Sequence, residues 1–92
     1  MKKILIYGSS HWPGCEPVKE VLSQKNIEFA YVDITSSMFA LKSFLKIRDN
    51  DSSHKEVRAS GGVGIPTLSV DGKNYLIADA KEMELKINEL GL

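Results

Sequence analysis

The stretch that decides the fold is Ile4-Leu5-Ile6-Tyr7-Gly8-Ser9-Ser10-His11-Trp12-Pro13-Gly14-Cys15. It begins with a compact apolar run bounded by glycine, which is typical of a strand buried on both faces. A polar turn follows, and after Cys15 the spacing of Val18, Val21 and Leu22 is that of an amphipathic helix. The sequence therefore predicts a strand, a tight turn and a helix, with one thiol near the start of that helix.

The composition predicts one small folded domain over residues 1–92. Hydrophobic residues make up 42% of the chain, which is ordinary for a globular protein. Twelve basic and twelve acidic residues cancel, so the basic excess typical of nucleic-acid-binding proteins is absent. The apolar run after Lys2-Lys3 stops at Gly8, too early for an export signal, and no apolar run reaches membrane-spanning length. We expect a cytoplasmic protein that binds neither nucleic acid nor membrane.

Three further segments have the pattern of strands. Glu28 to Asp33 is rich in aromatic and β-branched residues, and the helix before it makes this strand parallel to the first, with a right-handed crossover. Asp71-Gly72 is a strong two-residue hairpin signal, and it is flanked by Thr67 to Val70 and Lys73 to Ile77. The last two strands are therefore antiparallel neighbours.

The remaining segments have the pattern of helices. Thr35-Ser36-Ser37 can cap a second helix, which ends in the polar stretch Arg48 to Ser53, and His54 to Ser60 predicts a further helical turn. The order is then β-α-β-α-β-β-α. The apolar positions assigned to the helix faces are Met38, Leu41, Phe44, Leu45, Ala80, Met83, Ile87 and Leu90. Since this assignment leaves no exposed apolar stripe, we expect a monomer.

This order of elements, together with several short motifs, resembles the glutaredoxin branch of the thioredoxin fold. Pro13-x-Cys15 opens the first helix, and Gly64-Ile65-Pro66 stands before the hairpin. Phe44-Leu45 followed by Arg48-Asp49 is similar to a segment of small bacterial glutaredoxin-related proteins. The resemblance runs over nearly the whole chain. It implies an α/β thioredoxin-like fold with a four-stranded mixed sheet flanked by helices, and a cis peptide bond before Pro66.

The resemblance also implies a thiol–disulfide oxidoreductase, but the motif is incomplete. In glutaredoxins the first cysteine of Cys-Pro-x-Cys attacks a disulfide, and the second resolves the mixed disulfide. Counting back from Val18-Lys19 places Cys15 at the second position and Trp12 at the first. Exchange requires a thiolate, which an indole cannot supply. We expect the chain with Trp12 to be weakly active or inactive.

The binding residues follow from the same resemblance. Glutathione is the implied co-substrate, and a disulfide-containing or glutathionylated protein is the implied partner. Besides Trp12 and Cys15, the implied site residues are Pro13, Gly14, Ile65, Pro66 and Asp79, the last near the acidic residue that holds the glutathione amine.

Three departures from the family pattern weaken the expectation of tight glutathione binding. Ser9 stands where many members have lysine, Gly14 replaces a tyrosine or a similar residue, and Leu76-Ile77 replaces Gly-Gly. No bound cofactor and no metal are expected. The cysteine that ligates iron–sulfur clusters is absent, and His11 and His54 have no metal-like spacing with Cys15.

The reactivity of Cys15 is left open by the sequence. Its place in the first turn of a helix favours the thiolate, because unsatisfied amides and the helix dipole lower a thiol pKa. The neighbouring charge of Glu16 opposes ionisation. A lone cysteine is also often a small buried hydrophobe. The sequence is compatible with two interpretations of Cys15, a slowly reactive thiol and an inert packing residue.

Trp12 has three explanations. The fold could persist as a non-catalytic module that binds an extended peptide or a thiol beside Pro66. The nucleophile could have been replaced, by design or by accident. Thirdly, Trp12 could be a misread selenocysteine, since the UGA codon for selenocysteine differs by one base from UGG for tryptophan. The native motif would then be a working selenol–thiol pair with Cys15.

Overall fold

The computed structural model describes residues 2–92 and contains one four-stranded sheet. Its strands are β1 (Ile4–Gly8), β2 (Ala30–Asp33), β3 (Thr67–Val70) and β4 (Lys73–Leu76), in the order β2-β1-β3-β4. β1 and β2 are parallel, whereas β3 is antiparallel to both β1 and β4. The parallel first pair and the hairpin confirm the pairs that the sequence pattern predicted, and the mixed four-stranded sheet confirms what the resemblance implied.

Within residues 2–92, four helices and one 3₁₀ turn accompany the sheet. They are α1 (Cys15–Gln24), α2 (Met38–Asn50), the 3₁₀ turn Ser52–His54, α3 (Lys55–Ala59) and α4 (Ala80–Leu90). The short helical turn expected after His54 is therefore present as α3. α2 continues beyond Arg48, because charged residues are tolerated on the exposed side of a helix.

The helix ends follow local chemistry. After α1 the chain turns at Asn26, whose φ of 57° is in the left-handed region that asparagine tolerates better than most residues. The Ser37 side chain accepts a hydrogen bond from the amide of Ala40 at 3.0 Å and caps α2. Asp79 caps α4 in the same way through the amide of Glu82. The Ser37 cap confirms the capping segment that the sequence predicted.

The sheet has a buried cluster on each face. Alternation along β1 directs Ile4 and Ile6 into the larger cluster, which includes side chains of α1 and α4. Tyr7 faces the smaller cluster, formed by Cys15, Ile34, Phe44 and Ile65. Helices therefore flank both faces of the sheet, as the resemblance implied.

The predicted core is wrong at Met38. The helical spacing assigns it to the inner face of α2, but it is 79% exposed, and its neighbour Phe39 is 73% exposed. Phe44 is the only completely buried residue of α2, and the first turn of this helix lies outside the core. The premise that no exposed apolar surface remains therefore does not hold, and a monomer stays a prediction.

Within residues 2–92 no helix has the length and apolar character that crossing a bilayer requires.

Candidate functional site

The ends of several elements converge at the carboxyl end of β1. Gly8 ends β1, and Cys15 begins α1 after a six-residue turn. Because β3 is antiparallel to β1, Thr67 lies opposite Tyr7, which places Pro66 at the same end of the sheet. This end therefore collects the motif around Trp12 and the loop before β3.

Ser9 anchors the turn between β1 and α1. It is buried, and its hydroxyl lies 3.0 Å from that of Thr35. The Ser9 hydroxyl accepts from the amide of His11 at 3.1 Å, and its carbonyl accepts from the amide of Trp12 at 3.1 Å. The carbonyl of Trp12 in turn accepts from the amide of Cys15 at 3.2 Å. The turn thus has a defined geometry that presents residue 12 just before the helix.

Trp12 is on the surface of this turn, with 45% of the residue exposed. Its indole lies next to Gly14, since a β-carbon on Gly14 would be 3.8 Å from Cδ1 and 3.9 Å from Nε1. Pro13 is also exposed, and Gly14 caps α1 without a side-chain hydrogen bond. At the position of the attacking cysteine, the chain therefore presents an aromatic ring.

Cys15 is completely buried behind this surface. Burial raises the pKa of its thiol, and the negative charges of Asp33 and Glu16 raise it further, while a backbone hydrogen bond from Ser9 lowers it. Of the two opposing influences that the sequence left open, the loss of solvent outweighs the favourable backbone groups of the first helical turn. The resting thiol is protonated and shielded.

Tyr31 is a neighbour of Cys15 that the sequence analysis did not identify. A β-carbon on Gly8 would lie 3.0 Å from both the Cys15 Sγ and the Tyr31 Oη atoms, so glycine is what leaves room for them. Burial is the main cause that raises the pKa of Tyr31 to about 12. The aromatic residues of β2 are only a weak signal of this neighbour in the sequence. The position of Tyr31 opposite Ile6 in the sheet directs its side chain towards α1.

The loop before β3 has the geometry that the resemblance implied. The peptide bond between Ile65 and Pro66 is cis. The Ile65 side chain is buried in one cluster with Cys15 and Phe44, so it is not presented to a ligand. Pro66 is also buried, and its carbonyl accepts from the amide of Ile77 at 3.1 Å, which brings the approach to α4 to this end of the sheet.

Asp79 is exposed at the start of α4. Its Oδ1 atom accepts from the amide of Glu82 at 2.8 Å. The carboxylate therefore caps α4. An amine of a ligand bound here would share the carboxylate with the Glu82 amide. The structure places Cys15 and Ile65 in one buried cluster, whereas Trp12, Pro13 and Asp79 lie on the surface.

The two histidines have different environments. His54 is completely buried below the loop, and its Nε2 atom lies 2.8 Å from Thr67 Oγ1 and 3.2 Å from the Gly64 carbonyl oxygen. His11 is exposed. In the part of the chain that the structure describes, no three histidine, cysteine or acidic side chains form a metal-binding group. The contacts of His54 thus give it a structural role in the loop before β3.

Comparisons with known proteins agree with this geometry. A family model described as Glutaredoxin matches residues 4–75. An uncharacterised protein of Haemophilus influenzae is 28% identical over 68 residues, which cover 74% of this chain and 79% of that protein. A glutaredoxin structure from Methanosarcina mazei superposes with a TM-score of 0.66 at 23% identity, covering 98% of this chain and 79% of that one. One from Archaeoglobus fulgidus gives 0.65 at 21% identity, with coverages of 95% and 87%. At these identities, the structural matches establish the shared fold.

Proposed function

Because the chain belongs to the glutaredoxin family, we propose that it descends from a thiol–disulfide oxidoreductase in which residue 12 attacks and Cys15 resolves. The observation that carries this proposal is the difference in exposure, 45% for Trp12 and 0% for Cys15. An attacking group must reach a disulfide in solution. A resolving thiol needs to reach only the mixed disulfide formed beside it. The chain with Trp12 keeps the second group and lacks the first.

The reaction has two exchange steps. In the first, the thiolate or selenolate of residue 12 attacks one sulfur of a disulfide; a new bond to that sulfur forms, the disulfide breaks, and the other sulfur leaves as a thiolate. In the second, the Cys15 thiolate attacks residue 12, forms the bond between positions 12 and 15, and releases the bound thiol. Two glutathione molecules would then return the pair to its reduced form and leave as glutathione disulfide. We place this reaction in the cytoplasm, with glutathionylated or disulfide-containing proteins as partners.

The origin of Trp12 decides whether the native protein performs this reaction. With selenocysteine at codon 12, the motif is a complete redox pair, and the exposed position suits a selenol. A UGA codon in the source genome would support this origin. A UGG codon would make tryptophan native and would move the proposal to the binding function below.

Restoring a thiol at position 12 tests the proposal directly. We expect Trp12→Cys to reduce a glutathione mixed disulfide, with glutathione and glutathione reductase as the coupled reducing system. Trp12→Ser is the matched control, since it removes the indole without adding a thiol. If a folded Trp12→Cys variant shows no more turnover than Trp12→Ser, the oxidoreductase proposal is wrong.

A second candidate function is a non-catalytic module that binds a peptide or a thiol beside Pro66. It is favoured by the exposed indole of Trp12, because tryptophan supplies a large rigid contact surface at binding sites. Trp12 is the only tryptophan of the chain, so its fluorescence reports binding without a label. Titration with glutathione, and separately with a cysteine-containing peptide, should change this fluorescence saturably. No change with either ligand would count against the module.

A further inference from the structure

The hydroxyl of Tyr31 is a buried polar group without a hydrogen-bond partner among residues 2–92. Such groups are uncommon in folded proteins, because burial removes their hydrogen bonds to water. A β-carbon placed on Gly8 would lie 3.0 Å from the Tyr31 hydroxyl oxygen and 3.0 Å from the Cys15 sulfur. The hydroxyl and the thiol therefore face the Gly8 backbone from the same side. The unpartnered donor is therefore located beside the resolving sulfur of the proposed reaction.

We propose that Tyr31 donates a hydrogen bond to the Cys15 thiolate when that thiolate forms during the resolving step. This inference rests on the proposed oxidoreductase function. A neutral thiol is a weak acceptor, whereas a thiolate is an anion and a strong one. In the resting site, the hydroxyl has no hydrogen bond to the Cys15 thiol or to any other group among residues 2–92. Ionisation of Cys15 creates the partner.

The surroundings of Cys15 show why a donor is needed there. Asp33 and Glu16 both oppose a negative charge on the sulfur, and a backbone hydrogen bond from Ser9 favours it. Tyr31 would add a second favourable contact. Because its pKa is raised to about 12, Tyr31 keeps its proton and remains a donor at physiological pH.

Lys19 supports the same arrangement from the outer side. Its Nζ atom lies 4.4 Å from the centroid of the Tyr31 ring and 3.3 Å from Oε2 of Glu16. A cation over a phenol ring withdraws charge from it and makes its hydroxyl a better donor. The same cation offsets the carboxylate that opposes ionisation of Cys15.

No proton is transferred from Tyr31 in the resolving step, because solvent takes up and supplies the protons. The Cys15 thiol first loses its proton to solvent, and the resulting thiolate attacks residue 12 of the mixed disulfide. The bond between residue 12 and the substrate sulfur breaks, and the leaving thiolate takes a proton from solvent. Tyr31 holds the attacking anion before the bond forms and retains its own proton.

The titration of Cys15 tests the inference without requiring any activity. Cys15 is the only cysteine, so selective ¹³Cβ labelling gives one resonance whose shift reports thiol ionisation. The comparison is between the unaltered chain, Tyr31→Phe, and Tyr75→Phe as the matched control on β4. We expect Tyr31→Phe to raise the Cys15 midpoint by about one pH unit, the size of one hydrogen bond to a charged group. Tyr75→Phe should leave it in place. A midpoint that is unchanged or lowered by Tyr31→Phe overturns the role of Tyr31.

The same substitution has a kinetic consequence in the Trp12→Cys background. With glutathione attached at position 12, Tyr31→Phe should slow the release of glutathione by Cys15 about tenfold at a pH below the thiol midpoint. The initial attack by the thiol introduced at position 12 should be unchanged. Equal release rates with and without the hydroxyl contradict the inference about Tyr31. Absence of both attack and release contradicts the proposed function instead, and the titration still decides the role of Tyr31.

Discussion

The Nε2 atom of His54 lies 2.8 Å from Oγ1 of Thr67, the residue that follows Pro66. The Thr67 hydroxyl donates to the Gly64 carbonyl at 2.6 Å, so it can only accept from the imidazole. Nε2 therefore carries a proton, and Nδ1 lies 2.7 Å from the Ser53 hydroxyl, which donates to Oδ1 of Asp51 at 2.7 Å. One buried histidine thus ties the loop before β3 to the 3₁₀ turn.

Replacing His54 should destabilise the fold strongly. His54→Ala removes a fully buried ring and leaves the hydroxyls of Thr67 and Ser53 with fewer partners. We expect the free energy of unfolding to fall by about 2–4 kcal/mol in urea titrations followed by circular dichroism. His11→Ala is the control: His11 is exposed, and its replacement should stay within about 0.5 kcal/mol. A small effect of His54→Ala would show that the loop does not depend on this contact.

The buried imidazole should also make stability depend on pH. Burial, with the charges of Arg58 and Arg48, lowers the pKa of His54, although the Gly64 carbonyl and Asp51 oppose this shift. The unfolded chain therefore binds a proton more readily than the folded chain. Stability from neutral His54 is complete above about pH 6.5, the ordinary histidine pKa, and is lost as the pH falls towards the folded pKa.

Urea midpoints between pH 7.5 and 5.5 measure this effect. The free energy of unfolding obtained from these titrations should decrease with falling pH in the unaltered chain, by at most about 1.4 kcal/mol per pH unit, and its pH dependence should be flatter in His54→Gln. A hydrogen bond from Asn74 is the main cause that lowers the pKa of Asp51 to about 2. Asp51 therefore also makes the free energy of unfolding fall with decreasing pH, but only below pH 3.8, its ordinary pKa. A slope that survives in His54→Gln would assign the dependence to another group.

Gly64 should tolerate a side chain less well than Gly72. Both have positive φ, 95° and 88°, so alanine is strained at either position. At Gly64 the new β-carbon would also lie 2.8 Å from Cδ2 of His54, whereas at Gly72 no atom of residues 2–92 outside its immediate neighbours lies within 4 Å. We expect Gly72→Ala to cost about 1 kcal/mol and Gly64→Ala about 2–4 kcal/mol in urea unfolding. In a His54→Ala background the difference should shrink, and a persistent difference would exclude the contact with His54 as its cause.

Cys15 should be unreactive in the folded chain. It has no exposed surface, and its pKa is raised by burial, so both access and ionisation oppose attack. At pH 7.5 we expect an aromatic disulfide reagent to modify it on the order of a hundredfold more slowly than in the urea-unfolded chain. The double variant Trp12→Cys/Cys15→Ser moves the thiol to the exposed position and should react rapidly without urea. Similar rates for folded and unfolded Cys15 would contradict its shielding.

Asp79 combines a helix cap with the ligand role that the resemblance implied, and two substitutions separate them. Asp79→Asn keeps an oxygen that can accept from the Glu82 amide, while Asp79→Ala removes the cap. We expect a loss of about 1 kcal/mol of stability for Asp79→Ala and little for Asp79→Asn. If the carboxylate also holds the glutathione amine, both variants should weaken glutathione binding in calorimetry. Unchanged binding in Asp79→Asn would restrict Asp79 to its capping role.

Local signals in the sequence were sufficient for most of the fold. The apolar run ending at Gly8 and the Asp71-Gly72 pair each act within a few residues, and they predicted β1 and the hairpin. The position of Trp12 at the attacking place was likewise found by counting along the chain. Such features depend on backbone preferences and side-chain spacing, which the sequence carries directly.

The sequence by itself determined the order of the elements, the mixed sheet and the absence of a thiol at position 12. Only the tertiary structure decided that Cys15 is shielded with a raised pKa, that Tyr31 lies beside it, and that Met38 is outside the core. These properties arise where segments distant in sequence meet, and they depend on strand register and on how much solvent the packing removes. Desolvation acts over the whole local environment, so it can reverse an effect, such as that of a helix N-terminus on a thiol, that local sequence alone predicts.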